Sequence, residues 1–268
     1  MQEDAIDFRN TSPFRPVNTF SHLRLSEVRS LAEVLACLDA LQSREPAQRF
    51  LCTLDDIDQC CYTSMHARED ARLTPDDDGA DEDLDYDDPV ALHGHEARQL
   101  AHVAAQLDAP ALRQDWRALA EARLSSQDDV DALLAMNRDP DQLLAHDDIV
   151  YVQRVPVPRD DLRIADLRIA GLPNGYFSAD WDVFQNHALI RHLSTTHGYR
   201  FFGIGASWLG FVRAQAPDEA QARRLVDDLA QVYPSDEAAA AAEAWNSLAS
   251  LLTGCKTLLL GYTENFAE

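Results

Sequence analysis

Apolar side chains recur at intervals of three and four residues through much of the first half of the chain. The clearest case runs from Val28 to Leu41, behind a potential N-cap at Ser26, and it predicts an amphipathic helix. A second apolar segment at residues 50–61 fits helical spacing, with a short strand at Arg49–Leu54 as the alternative. Three shorter helical patterns follow at residues 95–107, 110–124 and 127–136.

The pattern changes at Asp147. Residues 149–152 are β-branched or aromatic and predict a strand, and residues 162–164 and 167–169 also look extended. Helical spacing then alternates with strand-like segments up to the end of the sequence. The helical patterns lie at residues 181–196, 217–233 and 238–252, and the strand patterns lie at residues 199–204, 208–212 and 256–262.

Helices and strands are therefore expected to segregate along the chain. The predicted fold class is α+β, with a mostly helical N-terminal half followed by a C-terminal α+β domain that contains a small, mainly antiparallel sheet. The corresponding regions are residues 1–147, which include an acidic loop at residues 69–92, and residues 148–268.

The last third of the chain carries a resemblance to a known family. Gly198–Gly205 would be the first hairpin strand, Leu209–Val212 with Pro217–Ala220 the second strand and the helix start after it, and Leu248–Leu260 the final helix and strand. In these segments the chain resembles an uncharacterised bacterial family, domain of unknown function 4253. The chain departs from the family pattern at Gly261-Tyr262, where the family has a tryptophan-rich end. The resemblance implies a fold and an association with toxin–immunity systems, but it implies no catalytic residue.

The charge of the chain is strongly negative, with 46 acidic and 23 basic residues and a net charge of −23. Nine of the acidic residues fall within thirteen positions that contain neither Lys nor Arg. Such a block repels itself and buries little apolar area, so it predicts a solvated loop. Its carboxylates are the predicted partner-binding residues: Asp76, Asp77, Asp78, Asp81, Glu82, Asp83, Asp85, Asp87 and Asp88.

A field of this sign repels nucleic acid and anionic membranes, and it speeds encounter with basic proteins. We therefore expect a basic protein partner, and neither a nucleic acid nor a membrane. The N-terminus lacks the apolar core of a signal peptide, and the five cysteines form no C-x-x-C pair. These features favour reduced thiols and a cytoplasmic protein.

No metal site and no cofactor site is predicted. A calcium loop that starts at Asp81 would place Tyr86 where glycine is needed and Leu92 where glutamate is needed. Histidines recur every five residues, at His187, His192 and His197, and five helical steps turn a side chain by about 140°. They are therefore expected to face different directions rather than to form the i, i+4 pair of zinc enzymes.

Other partial motifs have simpler structural interpretations. Gly203 and Gly205 form half of a dinucleotide fingerprint, but a strand pattern follows them, which favours close backbone packing or a bulge. Ser207 is one residue out of place for a nucleophile elbow and fits a turn. Asp180 and Asp182 resemble a metal-binding carboxylate pair, although Asp180 is placed to cap the following helix.

Three functional hypotheses follow, one of which is a regulatory or housekeeping scaffold with no partner through the acidic segment. The leading hypothesis is a bacterial immunity-type inhibitor that neutralises a basic toxin or effector through the acidic segment, and the absence of a complete catalytic motif favours a protein without enzymatic activity. The alternative is an enzyme or small-molecule-binding domain with a pocket in the C-terminal half. That pocket requires four side chains to converge: Asp180, Asp182, His187 and Ser207.

Overall fold

A mixed sheet of seven strands forms the centre of the fold. The computed structural model describes residues 1–8, 13–14, 16–68, 70–74, 84–121, 127–144, 148–156, 180–235, 238–264 and 266–267. The strands are β1 Gln2–Ala5, β2 Ser21–Ser26, β3 Gln48–Thr53, β4 Val150–Pro156, β5 Arg200–Ile204, β6 Trp208–Val212 and β7 Thr257–Gly261. They are hydrogen-bonded in the order β1-β2-β4-β3-β5-β6-β7.

Seven α-helices and two 3-10 helices are present in the described residues. The α-helices are α1 Leu31–Arg44, α2 Ile57–Arg68, α3 Pro89–Asp108, α4 Gln127–Arg138, α5 Val183–His197, α6 Glu219–Val232 and α7 Ala238–Leu252. The 3-10 helices are η1 Trp116–Glu121 and η2 Pro140–Leu144. In this part of the chain, no helix combines the length and the apolar composition that crossing a bilayer requires.

The predicted distribution of strands is wrong. Three strands lie in the predicted helical half, and β4 is inserted between β2 and β3 in the sheet. The parallel pairing of β3 with β5 makes the sheet mixed, so it is neither small nor confined to the C-terminal half. The predicted boundary at residue 147 falls between β3 and β4, and the division into two regions remains a prediction.

The sequence of β3 explains part of this error. Phe50, Leu51 and Cys52 are all fully buried, so the strand shows no alternation of polar and apolar positions. A short, continuously apolar segment cannot be distinguished from a buried helix by its periodicity. The strand alternative at Arg49–Leu54 is therefore the correct one.

The predicted start of the first helix is also wrong. Ser21, Leu23 and Leu25 of β2 are buried while the residues between them are partly exposed, which is the alternation of a half-buried strand. Ser26 ends this strand, and the cap of α1 is Ser30, whose hydroxyl accepts a hydrogen bond from the amide of Glu33. The helical pattern was thus extended one turn too far toward the N-terminus.

The predicted positions of several later elements are confirmed. Strands β5, β6 and β7 and helices α4, α5, α6 and α7 lie at the predicted positions within a few residues. The helix predicted at residues 110–124 is wrong, because the described part of that range contains only η1. The extended segments predicted at residues 162–164 and 167–169 lie outside the described residues.

The main hydrophobic cluster joins the sheet to the helices from both halves of the chain. Leu25, Val152 and Phe201 contribute from the strands, and Leu225 and Leu248 contribute from α6 and α7. Residues of α6 beside this buried face form one wall of a cleft, which is lined by histidine, aspartate and arginine residues.

Candidate functional site

Helix α5 is defined by strong signals at both ends. At its start, the carboxylate of Asp182 accepts a hydrogen bond from the amide of Gln185, and the side chain of Gln185 accepts one from the amide of Asp182. At its end, Gly198 has a φ of 69°, a left-handed conformation that glycine adopts without strain. This glycine stops the helix directly after His197. Two histidines therefore occupy the last turns of α5.

Helix α6 supplies the opposite wall of the cleft. Asp218 and Gln221 form a second reciprocal capping pair at its start. Leu225 and Leu229 are buried and orient the helix, so Asp228 lies at the edge of the buried face and is only partly exposed. Residues of η1 contact both α5 and α6, and they place Trp116 at the junction.

Two histidines converge on one carboxylate oxygen at this junction. The Nε2 atoms of His192 and His197 lie 2.7 Å and 2.8 Å from Oδ2 of Asp228. The two imidazole ring centroids are 5.3 Å apart, with the ring planes at 80°. The side chains are 12%, 6% and 22% exposed for His192, His197 and Asp228, and all three residues line the cleft.

Neighbouring side chains fix the ring of His192. The indole of Trp116 stacks on it with a centroid distance of 3.9 Å and an interplanar angle of 11°. Its other ring nitrogen, Nδ1, lies 3.3 Å from the hydroxyl of Thr196. The guanidinium of Arg117 lies 4.7 Å from the centroid of the Trp116 ring. The imidazole is thus oriented by contacts on its face and on its edge.

The environment alters the pKa of the groups in this cluster. Burial lowers the pKa of His192, and the hydrogen bond with Asp228 opposes this shift only in part. Burial would raise the pKa of Asp228, but the hydrogen bonds with His197 and His192 outweigh it, so this pKa lies below its usual value. The arrangement is therefore an ionised carboxylate between two imidazoles.

The cleft around this cluster has a volume of about 770 Å³ and is lined by three arginines, Arg117, Arg213 and Arg224. Arg213 lies 5.3 Å from the centroid of the Tyr199 ring and donates a hydrogen bond of 3.4 Å to the side chain of Gln221. Within the described part of the chain, none of these arginines has a carboxylate within 4.0 Å. Three cations therefore face a cleft that also contains Asp227 and Asp228.

The four residues of the predicted alternative pocket do not line this cleft. Asp182 caps α5 and forms an ion pair of 2.8 Å with Arg72, which corrects the assignment of that cap to Asp180. Asp180 instead accepts a hydrogen bond from the amide of Glu264. His187 is buried in α5, and the Ser207 amide donates to the carboxylate of Asp55. A pocket formed by these four residues remains a prediction.

The acidic segment is described only in part. Asp85, Asp87 and Asp88 are exposed, and Asp88 also caps α3 by accepting a hydrogen bond from the amide of Val90. The other six predicted partner-binding carboxylates lie outside the described residues: Asp76, Asp77, Asp78, Asp81, Glu82 and Asp83. Tyr86 and Val90 are 70% and 73% exposed beside the described carboxylates.

The sequence reasoning missed the histidine–aspartate cluster. The five-residue spacing separates His192 and His197 around the helix, but both side chains reach one carboxylate on a second helix. Asp228 follows these histidines by 36 and 31 residues and carries no motif of its own. The sequence feature that could have indicated this cluster is the repetition of histidine in the last turns of α5, just before Gly198.

Comparison of this chain with protein-family models, with curated proteins and with solved structures found no match. The resemblance of the last third to domain of unknown function 4253 therefore remains a prediction.

Proposed function

We propose that this protein binds a small phosphate-bearing ligand in the cleft between η1, α5 and α6. The observation that carries this proposal is the convergence of Arg117, Arg213 and Arg224 on one cleft in a chain whose acidic residues outnumber its basic residues by two to one. Guanidinium groups match the geometry of phosphate oxygens and bind them through paired hydrogen bonds. Small-molecule binding is the predicted alternative class, but the site differs from the predicted one, because Trp116 and Arg117 come from the N-terminal region and the remaining residues are other than the four predicted.

The size of the cleft indicates more than a free phosphate ion. A volume of about 770 Å³ lies within the range of ordinary ligand sites and exceeds what one phosphate group fills. Trp116 lies in the wall but is buried against His192, so its role is to position that imidazole and not to present a free apolar surface. The net charge of −23 repels anions at long range, so affinity must come from local contacts.

Phosphate binding is testable with inorganic phosphate as the probe, on protein that has been freed of metal ions with a chelator. We expect saturable binding by isothermal titration calorimetry. Arg213→Gln and Arg224→Gln should each weaken it about tenfold or more, since one charge-assisted hydrogen bond contributes about 1.5–3 kcal/mol. Arg223→Gln is the matched control, because Arg223 is adjacent in sequence but pairs with Glu219 at 3.2 Å. Absence of saturable binding, or an equal loss in the control, would contradict the proposal.

A second candidate is the immunity-type inhibitor of a basic protein. The observation that favours it is the pairing of the exposed carboxylates Asp85 and Asp87 with the exposed apolar side chains Tyr86 and Val90. Carboxylates accelerate encounter with a cationic partner, and exposed apolar groups provide a buried anchor in the complex. This candidate requires a protein partner, whereas the first requires none.

The two kinds of side chain should have separable kinetic effects on any protein partner. Neutralising the nine carboxylates of the acidic segment with Asn and Gln should slow association about tenfold or more and flatten its dependence on salt. Tyr86→Ala should instead accelerate dissociation. Surface plasmon resonance at several salt concentrations measures both rates. A partner whose association rate is unaffected by the neutralised variant would rule out the acidic segment as its docking surface.

A further inference from the structure

We propose that His192, His197 and Asp228 form a binding site for Zn²⁺. The inference is independent of phosphate binding, because it concerns the protein alone and uses none of the arginines. Among the described residues, this is the cluster in which histidine, cysteine or acidic ligand atoms come together, all within 4.8 Å of one another. Two imidazole nitrogens and one carboxylate oxygen are a donor set that zinc enzymes use, with a fourth position left open.

The distances in the cluster are close to those that a metal requires. Tetrahedral zinc with bonds of about 2.0–2.1 Å holds neighbouring ligand atoms about 3.3 Å apart. The Nε2 atoms of His192 and His197 lie 2.7 Å and 2.8 Å from Asp228 Oδ2. Each histidine nitrogen therefore needs to move about half an ångström away from the carboxylate oxygen, and the two nitrogens, which lie within 4.8 Å of each other, need to reach the same separation of about 3.3 Å. The buried hydrogen bonds and the metal site are alternative uses of the same three atoms.

The surroundings of His192 are those of a metal ligand. Histidines that bind metals through one ring nitrogen usually donate a hydrogen bond from the other, which fixes the ring and its tautomer. The Nδ1 atom of His192 has the hydroxyl of Thr196 at 3.3 Å for this purpose. Stacking of Trp116 on the ring restricts it further. The ligand atom is thus held toward Asp228 before any metal arrives.

The donor set also selects the metal. Mg²⁺ and Ca²⁺ prefer oxygen ligands, whereas imidazole nitrogen favours zinc and its neighbours in the transition series. The three ligands line the same cleft as Arg117 and Arg213, where an anion has access to a metal that they hold. The positive charge of the arginines opposes the binding of a dication at this site. Measurable Zn²⁺ affinity in the absence of a bound anion is therefore a demanding test.

The test uses the full-length chain, freed of metal with a chelator and titrated with Zn²⁺ in a phosphate-free buffer. We expect one Zn²⁺ per chain with a dissociation constant of about 1 µM or below, and no comparable binding of Mg²⁺. His192→Ala, His197→Ala and Asp228→Asn should each weaken binding at least about 100-fold. His93→Ala removes an exposed histidine outside the cluster and should leave the affinity unchanged.

Cobalt provides a second readout that does not require any variant to fold. Co²⁺ in the wild-type chain should give the visible spectrum of four-coordinate nitrogen and oxygen ligation without a thiolate charge-transfer band. A thiolate band would assign the metal to cysteine, such as the exposed Cys61, and would overturn the proposal. Failure of the wild-type chain to bind Zn²⁺, or wild-type affinity in the three variants, would overturn it as well. Phosphate binding is measured on chelated protein, so either result can fail alone.

Discussion

Replacement of Asp55 by Asn is expected to remove a pH-dependent loss of stability that reaches about 4 kcal/mol in the wild-type chain. The Oδ1 atom of Asp55 is buried, although the residue as a whole is partly exposed. Burial raises its pKa from 3.8 to about 7, and hydrogen bonds from the amides of Ser207 and Ala206 oppose this shift only in part. Asp55 is therefore a carboxyl group that titrates near neutral pH.

The direction of the effect follows from proton linkage. Between pH 3.8 and about 7 the unfolded chain has lost this proton while the folded chain retains it. The contribution of Asp55 to the free energy of unfolding therefore falls by about 1.4 kcal/mol per pH unit as the pH rises through this window, and it is constant above it. Asn carries no ionisable proton, and its carbonyl oxygen can still accept the hydrogen bond of 2.9 Å from the Ser207 amide.

The measurement is urea denaturation of both chains between about pH 5.5 and pH 8.5, above the isoelectric point near 4.5. Over this range the stability of Asp55→Asn relative to wild type should increase by about 2 kcal/mol. Asp131→Asn is the control, because it removes one negative charge from an exposed position of α4. The same pH dependence in both variants would show that the charge of the chain, rather than the burial of Asp55, is responsible.

The contacts of Asp55 show which part of this region the sequence could indicate. Both interpretations of Gly203 and Gly205, close backbone packing and a bulge, hold. A Cβ would lie 2.6 Å from the carbonyl oxygen of Cys52 at Gly203 and 1.3 Å from Asp55 Oδ1 at Gly205. The β5–β6 register shifts between Phe201 and Gly203. The glycine pattern indicates that no side chain fits at these positions, but it does not identify the group that occupies the space. Asp55 precedes Ser207 by 152 residues and meets it because β3 and β5 pair in parallel. No local pattern encodes that pairing.

The same distinction separates the predicted helices from the candidate site. The Pro217-Asp218 start of α6 and the position of α5 follow from capping residues and apolar spacing, which act within a few residues. The cluster of His192, His197 and Asp228 depends on how these two helices pack, and η1 adds Trp116 from a third segment. Side chains from distant segments become a site only through tertiary structure. Local sequence reasoning therefore favoured the acidic segment, whose charge is visible without a fold.

Trp181 provides the second large effect, because it joins the start of α5 to the last strand. Its side chain is fully buried, and its ring centroid lies 5.2 Å from that of Tyr233. Its amide donates a hydrogen bond of 3.0 Å to the carbonyl of Tyr262, directly after β7. Trp181→Ala should reduce the free energy of unfolding by about 3–5 kcal/mol, since it removes a large apolar surface and leaves a cavity.

Comparing Trp181→Phe with Trp181→Ala separates the loss of side-chain packing from a disturbance of the backbone around residue 181. A phenyl ring retains much of the contact with Tyr233, so we expect a clearly smaller loss than for alanine, measured by urea denaturation at fixed pH. Tyr86→Ala is the control for removal of an aromatic ring, because Tyr86 is 70% exposed and should change stability by less than about 0.5 kcal/mol. A loss below about 1 kcal/mol for Trp181→Ala would mean that this side chain does not join α5 to the sheet. In that case the cleft that α5 helps to form would not depend on it either.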